Sequence, residues 1–533
     1  MREREESVGE ATVRMLAEAG TEVSFGIPGI HTLELFRGLH SAGVRHVLNR
    51  SEQGAVFAAD GYARVTGRPG VSLLISGPGV TNAATPIAQA YHDSVPLLIV
   101  STVVPESERS RRWGALHELP DQGATMASLT AFSEHIEDPE ALPEAFARAF
   151  RLFEFGRPRP VHIEIPIDLL GRPAPSLSYR PPRGERPAPA AGDANAAASR
   201  LAAAARPKIL LGGGALDAGA AARRVAERIG APVALTLNAK GALPDEHPLS
   251  LGTTLPTEAT IRALADADVL LAVGTEFSPI DSYYSPAGIE PRGELIRVDI
   301  DPAQMDAAFA PAIPIVADAA LGLGAIDAAL AGLTVGPDHD GVEEAARIRG
   351  EVTWWPRAEP LLPLIEAIGT ALPPDHVVAC DSTQLAYIGQ NLWPGGRPRS
   401  WLIPAGLGTL GPALPMAIGG AVGRPQATAL CVIGDGGLLF TIGEMAAAAS
   451  LRLPLVMLLW NNDGYEEMRD EMDELGIPQI GTEASAEDYG TIAAGFGWAR
   501  FRPGSVEEVV ATLTDCRSPA RPTVIELTPD LLA

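Results

Sequence analysis

Two stretches of sequence decide the fold class: ATALCVIGDGGLLF at 427–440 and LPLVMLLWNNDGY at 453–465. Each begins as an apolar run of strand length and ends in glycine and an oxygen-bearing side chain, Asp435 in the first and Asn462 in the second. The segment between them has the pattern of a loop and a helix, which predicts a βαβ unit with parallel strands. Both side chains should therefore lie at the carboxyl edge of a sheet, where open α/β sheets bind ligands.

The same alternation of short apolar runs with alanine-rich helical stretches recurs along all 533 residues, of which 46% are apolar. Continuous apolar strands are typical of parallel sheets that are covered on both faces. We therefore expect an α/β chain with three doubly wound parallel-sheet domains, over 1–172, 188–333 and 355–533. The Pro- and Ala-rich segment 171–207 indicates a linker, and the segment 333–358, which is polar and is expected to be irregular, marks the second boundary.

Composition excludes several classes of function. A formal net charge of −25 and the lack of a basic patch argue against binding to nucleic acid or an anionic membrane. Cys380, Cys431 and Cys516 are far apart and lack the spacing of metal ligands, so we expect buried thiols in a reducing compartment. The N-terminus is charged where a signal peptide needs an apolar core, and no apolar run is long enough to span a bilayer. A cytoplasmic protein is expected.

The residue types at the two strand ends suit a hard cation. A carboxylate and an amide carbonyl are oxygen donors of the kind that Mg²⁺ shares with phosphate oxygens. Gly436 and Gly437 leave room for a diphosphate, to which the following helix would present N–H groups. The alternative is an ordinary strand-end turn in which Asp435 caps a helix. That alternative explains Asp435 alone and leaves the Asn pair at the next strand end unexplained.

The Gly-Asp-Gly, the twenty-four residues after it and the Asn-Asn that follows resemble the signature of thiamine diphosphate (ThDP)-dependent enzymes. The resemblance implies that Asp435, Asn462 and the backbone carbonyl of Gly464 bind Mg²⁺. It also implies that the cofactor lies against Gly434, Gly436, Gly437 and Tyr465.

RSEQGAVFAADGYARVTGRPGV at 50–71 resembles the pyrimidine-binding domain of the same family and makes Glu52 the catalytic candidate. In the family this carboxyl group hydrogen-bonds to the aminopyrimidine and promotes the imino tautomer, which takes the proton from thiazolium C2. The alternative is a helix-capping or surface glutamate.

Other stretches add further cofactor contacts by resemblance. SFGIPG contributes Pro28 and Gly29, the glycine-rich segment 406–421 contributes Gly408 and Leu410, and CDSTQ contributes Thr383 and Gln384. Leu410 aligns with the apolar residue that bends the cofactor into its V shape. Its alternative role is that of an ordinary core residue.

Overall the chain resembles the acetolactate-synthase branch of the family. FGIPGIHTLELFRGL at 25–39 and GALHELPDQ at 114–122 are most similar to decarboxylases of 5-guanidino-2-oxopentanoate (2-ketoarginine). The resemblance implies non-oxidative decarboxylation of a 2-oxo acid to an aldehyde, with the guanidino compound as the candidate substrate. Acetolactate-type carboligation is the main alternative. A flavin-linked oxidase and a non-catalytic protein that keeps the fold are the others.

Three further residues are candidates for the reaction or for specificity. His117 aligns with an active-site Gln of the synthases and would donate or relay a proton, unless it is a structural loop histidine. His31 is expected to face the same cavity. Glu471 aligns with a synthase Trp and would pair with a guanidinium, whereas most of the acids around it are better explained by a solvated helix face.

The family resemblance also bears on assembly and on a second cofactor. In the family the two cofactor domains of one site come from different subunits, which implies a homodimer at least and favours a homotetramer. Glu52 of one chain would then serve the metal loop of another. In the central domain, Gly212–Gly214 lack the G-x-G-x-x-G pattern, so we predict no redox flavin and leave an FAD or ADP site open.

Overall fold

The computed structural model describes residues 5–109, 111–283, 285, 288–336 and 339–532. They form three six-stranded parallel sheets flanked by helices. The α/β class and the three parallel sheets predicted from the sequence are confirmed. The inner strands of each sheet are buried along nearly their whole length because helices cover the sheets on both faces, whereas the edge strands 45–48, 132–135, 313–316 and 499–501 are largely half-buried or exposed.

The first sheet has the strand order β2-β1-β3-β4-β6-β5. Its strands are β1 (Val23–Gly26), β2 (Arg45–Leu48), β3 (Gly70–Leu74), β4 (Leu97–Val103), β5 (Phe132–His135) and β6 (Val161–Pro166). Its helices are α1 (Val8–Glu18), α2 (Leu33–Ala42), α3 (Glu52–Thr66), α4 (Pro78–Asn82), α5 (Ala84–His92), α6 (Gln122–Ala127), α7 (Leu142–Phe155) and α8 (Ile167–Leu170). The core of this region includes Leu73, Val100 and Ile163, all fully buried.

The second sheet has the strand order β12-β11-β10-β7-β8-β9. Its strands are β7 (Pro207–Leu211), β8 (Val233–Leu235), β9 (Ser250–Gly252), β10 (Val269–Val273), β11 (Glu294–Asp299) and β12 (Ile313–Val316). Its helices are α9 (Ala191–Ala203), α10 (Gly219–Ile229), α11 (Glu258–Ala265), α12 (Ala319–Leu330) and α13 (Gly341–Gly350). Two apolar clusters that include Leu271 and Leu270 bury side chains from alternate positions of β10.

The third sheet has the strand order β14-β13-β15-β16-β18-β17. Its strands are β13 (His376–Cys380), β14 (Trp401–Leu402), β15 (Thr428–Gly434), β16 (Leu455–Trp460), β17 (Ala499–Phe501) and β18 (Thr523–Leu527). Its helices are α14 (Leu362–Ala371), α15 (Gln384–Leu392), α16 (Ala413–Gly423), α17 (Asp435–Thr441), α18 (Glu444–Leu451), α19 (Glu466–Glu474), α20 (Tyr489–Gly495) and α21 (Val506–Asp515). Short 3₁₀ helices occupy Ile30–Thr32, Pro139–Ala141, Gly213–Ala218, Leu237–Ala239, Pro279–Ser282, Pro302–Gln304, Pro356–Leu361 and Pro529–Leu532.

Three local expectations were wrong. The predicted linker 171–207 contains α9, which buries Ala197 and Leu201 in the core of the second sheet. The polar segment 333–358 contains α13, which buries Ala345 against the same sheet. Both helices were missed because their sequences are rich in alanine and charged residues and show no clear apolar pattern. Their small alanine side chains nevertheless pack closely against the sheet. The loop expected after β15 is also helical, because α17 begins at Asp435 itself.

The chain divides into two compact units. One comprises Met1–Gly184, Gly406–Phe501 and Ser518–Glu526, and the other comprises the remaining segments. The division into three domains stays a prediction. The cysteines are free and buried, as expected for thiols. Within the residues that the structure describes, no helix combines the length and apolar character that crossing a bilayer requires.

Two helices of the first unit, α3 and α16, pack backbone against backbone. A Cβ atom on Gly61 would lie 2.2 Å from the carbonyl oxygen of Met416, and one on Gly419 would lie 1.8 Å from that of Ala58. Only glycine permits so close an approach. Because α3 begins at Glu52, this contact fixes the helix that carries the predicted catalytic residue.

Candidate cofactor site

Asp435 lies where β15 ends and α17 begins. Its side chain is 1% exposed, and Oδ2 accepts a hydrogen bond from the backbone N–H of Gly464 at 2.8 Å. Burial raises the pKa of the Asp435 carboxyl above its usual value, and hydrogen bonds from Ser485 and nearby backbone N–H groups oppose that shift. A bound cation would stabilise the ionised carboxylate and so offset the cost of burying it, as expected for a metal ligand at this position.

Hydrogen bonds on both sides hold the loop after β16 in place. Asn461 Nδ2 donates to Glu526 Oε1 at 2.8 Å, so the first residue of the Asn pair braces the loop against β18. Arg469 donates to the carbonyl oxygens of Asn462 at 2.6 Å and of Asp463 at 2.9 Å. The side chain of Asn462, the predicted ligand, is half-buried. Asn461 thus has a structural contact with β18, while Asn462 stays the predicted metal ligand.

Glycine is required where this loop closes over the end of β15. Gly464 has φ +124°, and a Cβ atom there would lie 2.2 Å from the carbonyl oxygen of Thr482. A Cβ atom on Gly436 would lie 2.5 Å from a ring carbon of Tyr465. These glycines let the loop and the ring of Tyr465 reach the strand end.

The residues present fit a divalent cation of the magnesium type. The three predicted ligands are the carboxylate of Asp435, the amide of Asn462 and the carbonyl of Gly464, all of them oxygen donors. The hydrogen bond between Gly464 and Asp435 brings two of these residues into direct contact. Bound Mg²⁺ stays a prediction. Gly434 and Gly437 flank Asp435 and Gly436 at the same turn, as the cofactor assignment requires.

The loop that carries Gly408 and Leu410 is attached to the end of α5. The backbone N–H of Gly406 donates to Asp93 Oδ1 at 3.0 Å, and the next N–H donates to Gln89 Oε1 at 3.2 Å. Gly408 is exposed with φ +57°, and Leu410 is half-buried. A half-buried Leu on a braced loop is compatible with a cofactor contact as well as with a core role.

Thr383 and Gln384 lie in the second unit, directly after β13. Thr383 is 7% exposed, and α15 begins at Gln384. Both follow the carboxyl end of a parallel strand, which is the edge where open α/β sheets bind ligands. Their contact with a cofactor stays a prediction.

Glu52 is the first residue of α3, and its side chain is half-buried. The helix cap is Ser51, whose Oγ accepts from the N–H of Gly54 at 2.9 Å, so the capping role proposed as the alternative for Glu52 belongs to its neighbour. Asn82 Nδ2 donates to Glu52 Oε2 at 3.0 Å. The carboxylate is therefore oriented by a neutral amide, a partner that sequence reasoning missed.

The segment 75–79, which comprises the turn after β3 and the start of α4, lies between Glu52 and the segment with Pro28 and Gly29. A Cβ atom on Gly79 would lie 3.5 Å from Glu52 Oε1, and one on Gly29 would lie 2.4 Å from Ile75 Cδ1. Pro28 is exposed beside Gly29. The structure thus brings these predicted site residues together around one turn.

The two predicted histidines meet at the same turn. His31 Nδ1 is 2.7 Å from Ser76 Oγ, and its ring centroid is 5.0 Å from that of His117. His117 has φ +64°, and its Nδ1 is buried without a hydrogen-bond partner among the described residues. A Cβ atom on Gly77 would lie 2.6 Å from the carbonyl oxygen of His117. Burial, and then the proximity of His117, lower the pKa of His31 and so favour the neutral form of its ring.

Glu471 lies on the exposed helix α19, none of whose residues is buried. Its neighbour Glu466 forms an ion pair with Arg469. Glu471 itself is exposed, and the absence of buried residues from α19 agrees with the solvated-face alternative for most of these acids. A substrate role for Glu471 stays a prediction.

Sequence reasoning missed two further residues of this region. Tyr489 donates its hydroxyl hydrogen to the carbonyl oxygen of Asp435 at 2.9 Å. Glu444 is 1% exposed and accepts from the backbone N–H groups of Arg50 and Ser51. Glu444 could have been noticed as the only charged residue in TIGEMAAAAS, whereas nothing local marks Tyr489.

Comparison with known families gives matches along most of the chain. Residues 6–125 match the N-terminal TPP binding domain of thiamine pyrophosphate enzymes, 194–326 match their central domain, and 381–527 match their C-terminal TPP binding domain. Thiamine pyrophosphate (TPP) is another name for ThDP. These matches agree with the resemblance found in the sequence and support ThDP as the cofactor.

Individual relatives cover nearly the whole chain. The "Probable 2-ketoarginine decarboxylase AruI" of Pseudomonas aeruginosa is 44% identical over 98% of this chain and 94% of its own length. Acetolactate synthase isozyme 1 large subunit of Escherichia coli is 34% identical over 92% and 88%. A solved structure of a "putative thiamin diphosphate-dependent enzyme" from Mycobacterium smegmatis has a TM-score of 0.81 and 25% identity, covering 98% of this chain and 99% of that one. With three matching domains and relatives of this extent, the chain belongs to the thiamine pyrophosphate enzyme family.

Proposed function

We propose that this protein uses ThDP and Mg²⁺ to decarboxylate a 2-oxo acid without oxidation, releasing an aldehyde, and that the acid is 5-guanidino-2-oxopentanoate. The proposal is supported by the 44% identity to a relative named as a probable 2-ketoarginine decarboxylase. It is supported independently by the arrangement of Glu52 and the two histidines around one turn.

Each half of the site has a defined task in this proposal. Asp435, Asn462 and the carbonyl of Gly464 would hold the metal, which in turn binds the diphosphate. Glu52, oriented by Asn82, would hydrogen-bond to the pyrimidine ring of the cofactor. When bound, ThDP supplies an electron sink for the pair of electrons that remains after CO₂ leaves.

The observation that carries the lyase assignment is the Nδ1 atom of His117 beside His31, which has no hydrogen-bond partner in the part of the chain that the structure describes. Each 2-oxo acid that loses CO₂ must gain a proton to become an aldehyde, so the site needs a group that delivers one. A buried ring nitrogen without a protein partner is available to a substrate. The neighbouring His31, bonded to Ser76, provides the second position of a short proton relay.

The guanidinium preference is tested with a matched pair of substrates. 2-Oxo-5-ureidopentanoate has nearly the shape of the guanidino acid but lacks the positive charge at the end of its side chain. We expect CO₂ and the corresponding aldehyde from the guanidino acid, with kcat/KM about 100-fold above that of the ureido acid. Equal rates would contradict the proposed substrate, and CO₂ release without aldehyde would contradict the proposed fate of the product.

Carboligation of the acetolactate type is the second candidate, because the acetolactate synthase of E. coli is 34% identical over most of the chain. Incubation with pyruvate separates the two. Acetaldehyde as the main product supports the lyase, whereas acetolactate supports the transferase. His117→Gln restores the residue type of the synthases at this position, so the variant should shift the product ratio towards acetolactate if His117 delivers the proton.

A further inference from the structure

The carboxylate of Glu444 is enclosed against the start of α3. Its side chain is 1% exposed, and it is the first residue of α18. Oε1 accepts from the backbone N–H of Arg50 at 2.8 Å and of Ser51 at 3.1 Å, and Oε2 accepts from Asn49 Nδ2 at 3.0 Å. All three donors belong to the three residues that precede Glu52.

The helix α3 leaves space for this carboxylate. A Cβ atom on Gly54 would lie 2.2 Å from Glu444 Oε1, so any other residue at this position would collide with the carboxylate. Ser51 meanwhile caps the helix through the N–H of Gly54. The first turn of α3 therefore contacts Glu444 through Gly54 and is capped by the side chain of Ser51.

Arg50 attaches the same segment to the far end of α18. Its guanidinium donates to Ser450 Oγ at 2.9 Å and to the carbonyl oxygen of Ala446 at 3.3 Å. It also donates to the carbonyl oxygen of Leu48 at 2.9 Å. The chain before Glu52 is therefore held at two points along α18, of which only the Glu444 contact is buried.

Burying the Glu444 carboxylate lowers the stability of the fold, so its presence calls for an explanation. Burial raises the pKa of Glu444, and the hydrogen bonds from Arg50, Asn49 and Ser51 lower it only in part. An apolar residue in its place would avoid the desolvation penalty. Three hydrogen bonds directed to one short segment instead restrict the backbone there, which is what the placement of a catalytic side chain requires.

We propose that Glu444 is a positioning residue for Glu52: it fixes the backbone of Asn49–Ser51 and thereby the direction of the Glu52 carboxylate. This inference rests on the proposed function of Glu52 as the partner of the cofactor ring. Because α18 follows α17, which begins at Asp435, one continuous segment carries a predicted metal ligand and holds the start of the catalytic helix.

Three variants of the full-length protein test the proposal. Glu444→Ala removes all acceptors. Glu444→Gln keeps one acceptor. Asn49 Oδ1, which is buried and has no partner among the residues described, can accept from the new carboxamide after rotation of the Asn49 amide. Glu344→Ala is the matched control, because it breaks an ion pair with the buried Lys208 at 2.7 Å in the other unit.

The first readout is hydrogen–deuterium exchange of the protein without cofactor, over peptides that span 48–56. We expect Glu444→Ala to exchange at least about tenfold faster there while the rest of the first unit is unchanged. Glu344→Ala should leave these peptides unaffected, and Glu444→Gln should recover most of the protection. Unchanged exchange in Glu444→Ala, or an increase throughout the unit, would overturn the proposal.

The second readout uses the loaded enzyme. Glu444→Ala should lower kcat about 100-fold at constant KM and slow deuterium exchange at thiazolium C2, followed by NMR, by the same factor. Rescue by Glu444→Gln is expected for both quantities. A C2 exchange rate equal to that of the wild type would overturn the positioning role. If Glu52→Gln retains full turnover, the proposed function itself fails, whatever the exchange of 48–56 shows.

Discussion

Glycine-rich turns follow both β15 and β7, and the two turns make different contacts. After β15 the sequence Gly-Asp-Gly-Gly opens α17, and the loop after β16 closes over it so that Gly464 donates to Asp435. After β7 the run Gly212–Gly214 opens a short 3₁₀ helix. There the N–H of Gly212 donates to the carbonyl oxygen of Val273, and that of Gly214 donates to the carbonyl oxygen of Gly274.

The difference shows that the contacts of a glycine-rich turn depend on the segment that follows the neighbouring strand. A Cβ atom on Gly212 would lie 2.2 Å from the carbonyl oxygen of Gly274, so these glycines allow two backbone segments to cross. The amide groups of Gly212 and Gly214 that a phosphate would need are already bonded to backbone. This use of the turn weighs against a nucleotide phosphate at Gly212–Gly214, whereas the turn at Asp435 presents a carboxylate.

The largest expected effect concerns the two strand-end acids. Asp435→Ala removes a predicted metal ligand, so the affinity for ThDP in the presence of Mg²⁺ should fall about 100-fold by calorimetry. Asp299→Ala is the matched control, because Asp299 is equally buried at the end of β11 in the second sheet. Loss of stability without loss of cofactor affinity is expected for the control. Unchanged affinity in Asp435→Ala would remove the metal assignment.

The next effect tests whether the site at Asp435 is completed by another chain. Glu52→Gln should lower turnover at least about 100-fold without changing the fold, which circular dichroism can check. Co-expression of Glu52→Gln with Asp435→Ala should restore about a quarter of wild-type activity, since half of randomly formed dimers would carry one intact site. No restoration would contradict a site shared between subunits.

A smaller effect separates the two glycine turns directly. Gly212→Ala should lower the free energy of unfolding by about 3 kcal/mol, because backbone atoms cannot move aside, and should leave ThDP affinity unchanged. Gly436→Ala should instead displace the ring of Tyr465 and lower ThDP affinity more than stability. Thermal unfolding and cofactor titration of both variants provide the comparison. The reverse pattern would show that the turn after β7 is the cofactor site.

The smallest effect is expected at α19. Glu471→Gln should reduce kcat/KM for the guanidino acid about tenfold and leave that for the ureido acid, whose side chain is uncharged, unaffected. Glu474→Gln, another acid of the same helix, serves as the control and should change neither. If Glu471→Gln changed kcat/KM equally for the guanidino and the ureido substrate, Glu471 would belong to the solvated face of the helix.

Much of the site was predictable because its residues follow from local pattern. Asp435 and Asn462 stand at strand ends that the apolar runs predict, and α3 begins at Glu52 within a matching segment. The helices α9 and α13 were not predicted because their composition is that of a linker. Asn82 and Glu444 were not predicted as partners because each contact joins segments distant in sequence, by 395 positions between Glu444 and Asn49.

By itself the sequence determined the class of the fold, the family and the identities of the ionisable groups at the strand ends, because strand length, apolar pattern and glycine spacing are local properties. Only the tertiary structure decided which glycine turn is filled by neighbouring backbone, which amide orients Glu52 and which buried acid holds the start of its helix. Those outcomes depend on close approach between distant segments, and such approach is a property of packing that no short stretch of residues encodes.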